Sequence, residues 1–101
     1  MFKITNKQIL AKNVKRLDVK APLIASRIQP GQFVMVIVHE GGEWVPMAVA
    51  EAEPMRGQIT FIFQESGASL LEMGAMTIGE DIFSIIGPLG QPAPVGKTGV
   101  V

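Results

Sequence analysis

The longest run of strand-forming residues is Gln32-Phe33-Val34-Met35-Val36-Ile37-Val38-His39. It is nearly continuous rather than alternating, which predicts a strand covered on both faces. Upstream, residues 2–13 and 14–20 read as two more strands, with Ile4, Ile9, Val14, Leu17 and Val19 as apolar positions and Asn6 and Asn13 as bends. Residues 21–27 predict a single helical turn with Pro22 at its first position. After the Gly41-Gly42 turn comes a strand over 43–50. Pro46 has no amide proton for a ladder, so this strand lies at an edge or carries a bulge. Residues 53–57 make a hairpin turn into a strand over 58–63, and a last strand spans 82–86 and ends at Gly87-Pro88-Leu89-Gly90. Together these elements predict an all-β fold, a small antiparallel six-stranded Greek-key barrel with one short helix.

That helix falls at 66–74, directly after the apolar run Ile59-Thr60-Phe61-Ile62-Phe63. Ser66 is placed to cap its first turn, by accepting from an amide near Ser69, and Gly74 to end it in the left-handed conformation. Gly67 and Ala68 carry almost no side chain, so a ligand has close access to the first-turn amides. Unpaired N–H groups at the positive end of a helix attract anions. The plain alternative is a capped helix that closes the end of a barrel and binds nothing. The pattern alone leaves both open.

Composition narrows the classes. The 101 residues are 48% hydrophobic and only 18% charged, against roughly 25% charged in typical soluble domains. Such a chain suits one domain with part of its surface hidden against another domain or subunit. Nine basic residues balance nine acidic ones, which argues against nucleic acid or anionic lipid as a partner. No face combines aromatic and basic residues, so an oligonucleotide-binding barrel ranks last. Lys3, Lys7, Lys12, Lys15, Arg16 and Lys20 are interleaved with apolar residues and read as the solvated face of strands. Cysteine is absent, which removes disulfides, iron–sulfur ligation and thiol catalysis by this chain. The single histidine, His39, reads as a surface residue closing a strand, and a histidine metal site is not expected. No apolar run approaches the ~20 residues of a membrane span, and no signal peptide is visible, so a cytoplasmic protein without a membrane partner is expected. Glu80 and Asp81 project to opposite faces of a strand and make a poor acid/base pair. Any reaction is therefore expected to be carried by a bound cofactor.

Several segments stand in a familiar order: Pro30-Gly31-Gln32-Phe33-Val34, the 43–50 strand with Pro46, residues 63–71, and Gly87-Pro88-Leu89-Gly90 ahead of a linker. This order resembles the FAD-binding barrel of the ferredoxin–NADP reductase superfamily. Within it, the chain resembles the small electron-transfer subunits of the dihydroorotate dehydrogenase B, sulfide dehydrogenase and NADH-dependent ferredoxin–NADP oxidoreductase types. The resemblance spans nearly the whole chain and implies a FAD-binding barrel over 1–95. It also implies a linker and the start of a missing nicotinamide-nucleotide-binding domain over 96–101, since Thr98-Gly99-Val100-Val101 resembles the opening of that domain's first strand.

The resemblance further implies FAD as cofactor and assigns its contacts. Trp44, Val45, Pro46, Met47 and Ala48 would lie along the flavin and pyrophosphate, and Ile62, Phe63 and Gln64 beside the flavin and ribityl chain. Gly67, Ala68 and Ser69 would hold the pyrophosphate. Two positions depart from the family pattern: Trp44 stands where the family has Arg, and Ala48 where it has Ser or Thr. Losing a bidentate guanidinium contact costs about 1.5–3 kcal/mol, roughly 10- to 100-fold in affinity, and losing a hydroxyl bond a further ~1 kcal/mol. An indole that stacks on an aromatic ring recovers part of this. Glu65 would repel a neighbouring phosphate unless its side chain points away to solvent.

Two functional expectations follow. The first is a FAD-binding domain of an electron-transfer oxidoreductase, passing electrons between NAD(P)H on the missing domain and an iron–sulfur partner, either ferredoxin or a larger catalytic or iron–sulfur subunit. Met35, Met47, Met55 and Phe63 are candidates for an apolar rim, with core filling as the plain alternative for the methionines, and no side chain is assigned a catalytic role. Turnover by this domain alone is not expected. The second is a cofactor-free barrel, a protein-interaction module whose flavin site has decayed at Trp44 and Ala48.

Overall fold

A computed structural model of the chain describes residues 2–92. The expected boundary at residue 95, the linker and the 98–101 strand lie outside the described residues.

The first hairpin joins β1 (Phe2–Ala11) to β2 (Val14–Lys20). Asn13 closes its turn at φ 64°, a left-handed conformation that asparagine tolerates. The bend expected at Asn6 is a register shift between Ile4 and Asn6. β2 pairs on its other side with β6 (Gln58–Gln64), from Lys20↔Gln58 to Val14↔Gln64. With β5 (Glu51–Glu53) and β7 (Asp81–Ile82) these strands form a sheet of order β5-β6-β2-β1-β7. A second sheet, of order β4-β3-β8, contains β3 (Phe33–Ile37), β4 (Val45–Ala48) and β8 (Ser84–Leu89). Pro46 therefore sits on an edge strand, as its missing amide proton requires.

The all-β antiparallel class is observed, but the closed six-stranded barrel is not. Eight strand segments form two sheets, and two helices are present instead of one. The physical reason lies at two corners. Only Val49-Ala50 separates β4 from β5, and only Phe83 separates β7 from β8. The strand read over 43–50 ends at the first corner, where the unread β5 begins, and the strand read over 82–86 is broken at Phe83. At both corners the chain passes from one sheet to the other, as sheet twist favours. At one corner the Ala50 amide donates to the Thr60 carbonyl (2.8 Å), and at the other the Phe83 amide donates to the Val38 carbonyl (3.1 Å). The last strand, expected to end at 86, runs on as far as Leu89. A Cβ on Gly87 would meet the Val34 side chain at 2.7 Å, so this glycine allows β8 to lie close on β3 rather than turning the chain.

The helices close opposite ends of the sheets. α1 (Pro22–Arg27), the turn expected at 21–27, has Pro22 in its first turn and packs against β5, β6 and β8 near the start of β6. α2 (Ala68–Gly74) follows the far end of β6 and lowers Met73 into the core. Between them Ile4, Leu17, Ile59, Phe61, Val34 and Ile82 are fully buried. β3 is covered on one face only: Val34, Val36 and Val38 are buried, whereas Phe33 is exposed and Met35 and Ile37 are half-buried.

Neighbours on β6 test this assignment of faces. Phe61 is 0% exposed and Ile62 45%. Phe61→Ala is expected to cost about 3–5 kcal/mol in urea unfolding, and Ile62→Ala no more than about 0.5 kcal/mol. Equal losses would contradict the register of β6.

Candidate functional site

The candidate site begins where the two sheets part. β5 pairs with β6 through Glu51↔Thr60, Ala52↔Ile59 and Glu53↔Gln58. Beyond Ala50 the chain turns away, and β4 pairs with β3 through Phe33↔Ala48 and Met35↔Pro46. β6 instead stays with β2 as far as Gln64. Residues 45–48 and 62–64, separate in sequence, therefore diverge from one split.

Alternation decides which of these side chains a ligand can meet. Along the first segment Trp44, Pro46 and Ala48 are exposed, Val45 is half-buried and Met47 is buried. Along the second, Ile62 and Gln64 are exposed and Phe63 is buried. Met47 and Phe63 are thus core residues, able to contribute to a site through backbone only, and the expected apolar rim does not form as one surface. Met35 is half-buried on β3, and Met55 is almost wholly exposed on the turn before β6.

Past Gln64 the chain tightens before α2. The Glu65 amide donates to the Asn13 carbonyl at 2.7 Å and the Ser66 amide to the Gln64 carbonyl at 2.8 Å. This turn places Ser66 outside the helix. The N-cap is Gly67, at φ 91°, and no side chain caps the first turn, so the expected Ser66 cap does not form. Gly74 departs from expectation too, because it is helical and buried and the helix ends at Ala75 with φ −87°. A Cβ at Gly74 would overlap the Glu65 carboxylate, which explains the glycine by packing instead of by a left-handed end.

The start of α2 borders a recess of about 190 Å³ lined by Glu43, Val45, Ser66, Gly67, Ala68, Ser69 and Leu70. This recess brings together Val45, Gly67, Ala68 and Ser69 from the expected set. A Cβ at Gly67 would meet nothing within 4 Å, so the first-turn backbone lies open. The Leu71 amide donates to the Gly67 carbonyl at 3.0 Å, and the amides of 68–70 are first-turn donors without intrahelical partners. Glu43, in the same recess, had no signal in the sequence pattern. Its position depends on how β4 approaches α2.

Glu65 does not face the recess as a free acid, nor does it point to solvent. Its carboxylate is 8% exposed and lies 2.9 Å from Lys15 Nζ, itself 14% exposed. Lys15 stands opposite Phe63 and continues the inward series of Leu17 and Val19, so it is not on the solvated face expected for the N-terminal lysines. That period-two series was the available signal; the charge of lysine masked it. His39 is exposed, as expected, but lies two residues beyond β3, with Nε2 2.9 Å from Glu72 of α2. The helix is therefore tied to both sheets. No cluster of metal-binding side chains occurs among the described residues. Glu80 accepts from the Thr77 amide (2.8 Å) and Asp81 pairs with Lys3 (3.8 Å), which leaves both in structural roles.

No protein-family model matches the chain. It is 33% identical, over 92% of its length, to an uncharacterised protein from the adh 3′ region of Clostridium beijerinckii. It is 31% identical, over 97% of its length, to a dihydroorotate dehydrogenase B (NAD(+)) electron transfer subunit homologue of Thermotoga maritima. The chain spans 31% and 35% of these two relatives, about a third of each. Among solved structures, that of an NADH-dependent reduced ferredoxin–NADP oxidoreductase, described for flavin-based electron bifurcation, superposes with a TM-score of 0.90 at 30% identity, covering 92% of this chain and 34% of that one. A cytochrome P450 reductase of Amycolatopsis shares the fold with a TM-score of 0.70 at 17% identity, over 89% of this chain and 28% of that one.

The inward lysine has a measurable consequence. Lys15→Met strands the Glu65 carboxylate in a nearly buried position, and urea unfolding is expected to show a loss of about 3–5 kcal/mol. A lysine on a solvated strand face would cost no more than about 0.5 kcal/mol.

Proposed function

The chain belongs to the ferredoxin–NADP reductase superfamily, and on that premise we propose that it is the FAD-binding domain of an electron-transfer oxidoreductase. The supporting observation is the recess that joins the start of β4 to the start of α2, on a chain 30% identical to a ferredoxin–NADP oxidoreductase and alike in fold. The residues present fit the pyrophosphate of a dinucleotide there. Gly67 leaves open the space that a side chain would fill, and backbone donors of 68–70 border it. When bound, the flavin supplies hydride acceptance from NAD(P)H and onward release of electrons.

The chain's own residues bind and orient. Gly67, Ala68 and Ser69 hold the pyrophosphate through amides and the Ser69 hydroxyl. The exposed side chains of Pro46 and Ala48 border the ring system from β4, with Trp44 just before that strand, and Ile62 and Gln64 border it from β6. Met47 and Phe63, being buried, add backbone only. No lysine or arginine lines the recess, and its one charged residue is Glu43. The phosphate charge is met by neutral donors, and affinity is expected to be modest. Trp44, 43% exposed, is free to stack on an aromatic ring but supplies one neutral donor where the family has a guanidinium.

The remaining parts of this reading are a nicotinamide-binding domain following the barrel, a larger catalytic or iron–sulfur subunit as electron partner, and a cytoplasmic setting. The first two are supported by relatives about three times as long as this chain, named as electron transfer subunits. No helix among the described residues is long and apolar enough to cross a membrane. The substitutions at Trp44 and Ala48 favour one other reading, a cofactor-free interaction module.

Titration with FAD, followed by quenching of flavin fluorescence, separates the two. Saturable binding supports the first reading, and none supports the second. Under the first, Trp44→Arg is expected to tighten binding roughly 10- to 100-fold, and unchanged or weaker binding would reject the placement of that strand. Ala68→Asp puts an acid in the first helical turn, where it suits the helix but opposes phosphate. Thermal stability should hold while FAD affinity falls at least tenfold; unaltered affinity would remove the start of α2 from the site.

A further inference from the structure

Glu65 is the most constrained charged residue beside the recess, and nothing in flavin binding itself requires it. Four observations converge on it. Its amide is held by the Asn13 carbonyl of the β1–β2 hairpin at 2.7 Å. Its carboxylate meets Lys15 Nζ of β2 at 2.9 Å, with exposures of 8% and 14%. The same carboxylate occupies the space beside Gly74, in the last turn of α2, where a Cβ would overlap it. The next four residues, Ser66, Gly67, Ala68 and Ser69, all line the recess. One residue thus joins a hairpin, a strand and the far end of the helix, immediately before the recess-lining segment starts.

From this geometry we infer that the Lys15–Glu65 pair, seated against Gly74, is the positioning device of the cofactor site, setting where the 66–69 backbone stands relative to β4. The inference rests on the FAD-binding reading above. A nearly buried ion pair is a poor source of net stability compared with apolar side chains of similar size. Its directional contact instead restricts the approach of α2 to β2. The pair also withdraws the Glu65 charge from the recess, so that an anion there meets the amides with Glu43 as the one carboxylate in the lining. Neither residue touches the ligand; both act through the backbone that follows Glu65.

The experiment uses the 101-residue chain, with FAD as probe, and reads dissociation constant, bound-flavin visible circular dichroism and thermal midpoint together. Lys15→Met combined with Glu65→Met replaces the pair by apolar side chains. The expected result is a folded protein whose midpoint is kept or raised, with FAD binding at least tenfold weaker and an altered flavin circular dichroism signal. Gly74→Ala keeps both charges but displaces the carboxylate, and is expected to weaken FAD binding in the same direction. Should the double variant fail to fold, the Gly74→Ala titration decides. Wild-type affinity and flavin spectrum in a folded double variant, or in Gly74→Ala, would overturn the inference. Absence of FAD binding by the wild-type chain is a different result: it would overturn the flavin reading, and the inference with it.

Discussion

The structure depends on a conflict between two ladders. The extended segment that carries β4 and β5 cannot stay paired with β3 and with β6 along its whole length, because twist separates the two sheets. It bends at Val49-Ala50, leaves β6 after the Ala50–Thr60 bond and joins β3 instead. A second bend at Phe83 does the same on the other edge. These corners make two sheets out of what is nearly a closed wall. The first corner also opens the split beside which the candidate site lies.

An open split would expose core side chains unless something covered it. α2 does so with Met73 and Leu70 turned toward the core, and Met76 just beyond the helix packs there too. A seven-residue helix has little intrinsic stability, so its position is set by tertiary contacts. Lys15–Glu65 ties its approach to one sheet and His39–Glu72 to the other. Burial of the first pair and exposure of the second suggest unequal weights, since exposed pairs are typically worth about 0–1 kcal/mol. What covers the core also presents open backbone to the recess.

The chemistry available to a ligand follows from that economy of charge. Lysine is present near the site, but Lys15 is engaged with Glu65. On the proposed reading, a dinucleotide here would be held by amides, one hydroxyl and apolar side chains, which orient a cofactor without doing chemistry themselves.

The antiparallel all-β class, the edge position of Pro46, the hairpin turn at 53–57 and the start of α1 at Pro22 were readable in the chain, because each follows from local backbone chemistry: alternation, a missing amide proton, a fixed φ. So was the open backbone at the start of α2, since Gly67 and Ala68 have little or no side chain in any fold. Tertiary structure decided the rest. Whether a strand bends from one sheet into another, whether Gly74 answers to dihedral freedom or to a neighbouring carboxylate, and whether Lys15 turns outward depend on contacts with residues far along the chain. Local sequence carries no record of those contacts, and so Met47, Phe63 and Lys15 revealed their inward positions only once the sheets were assembled.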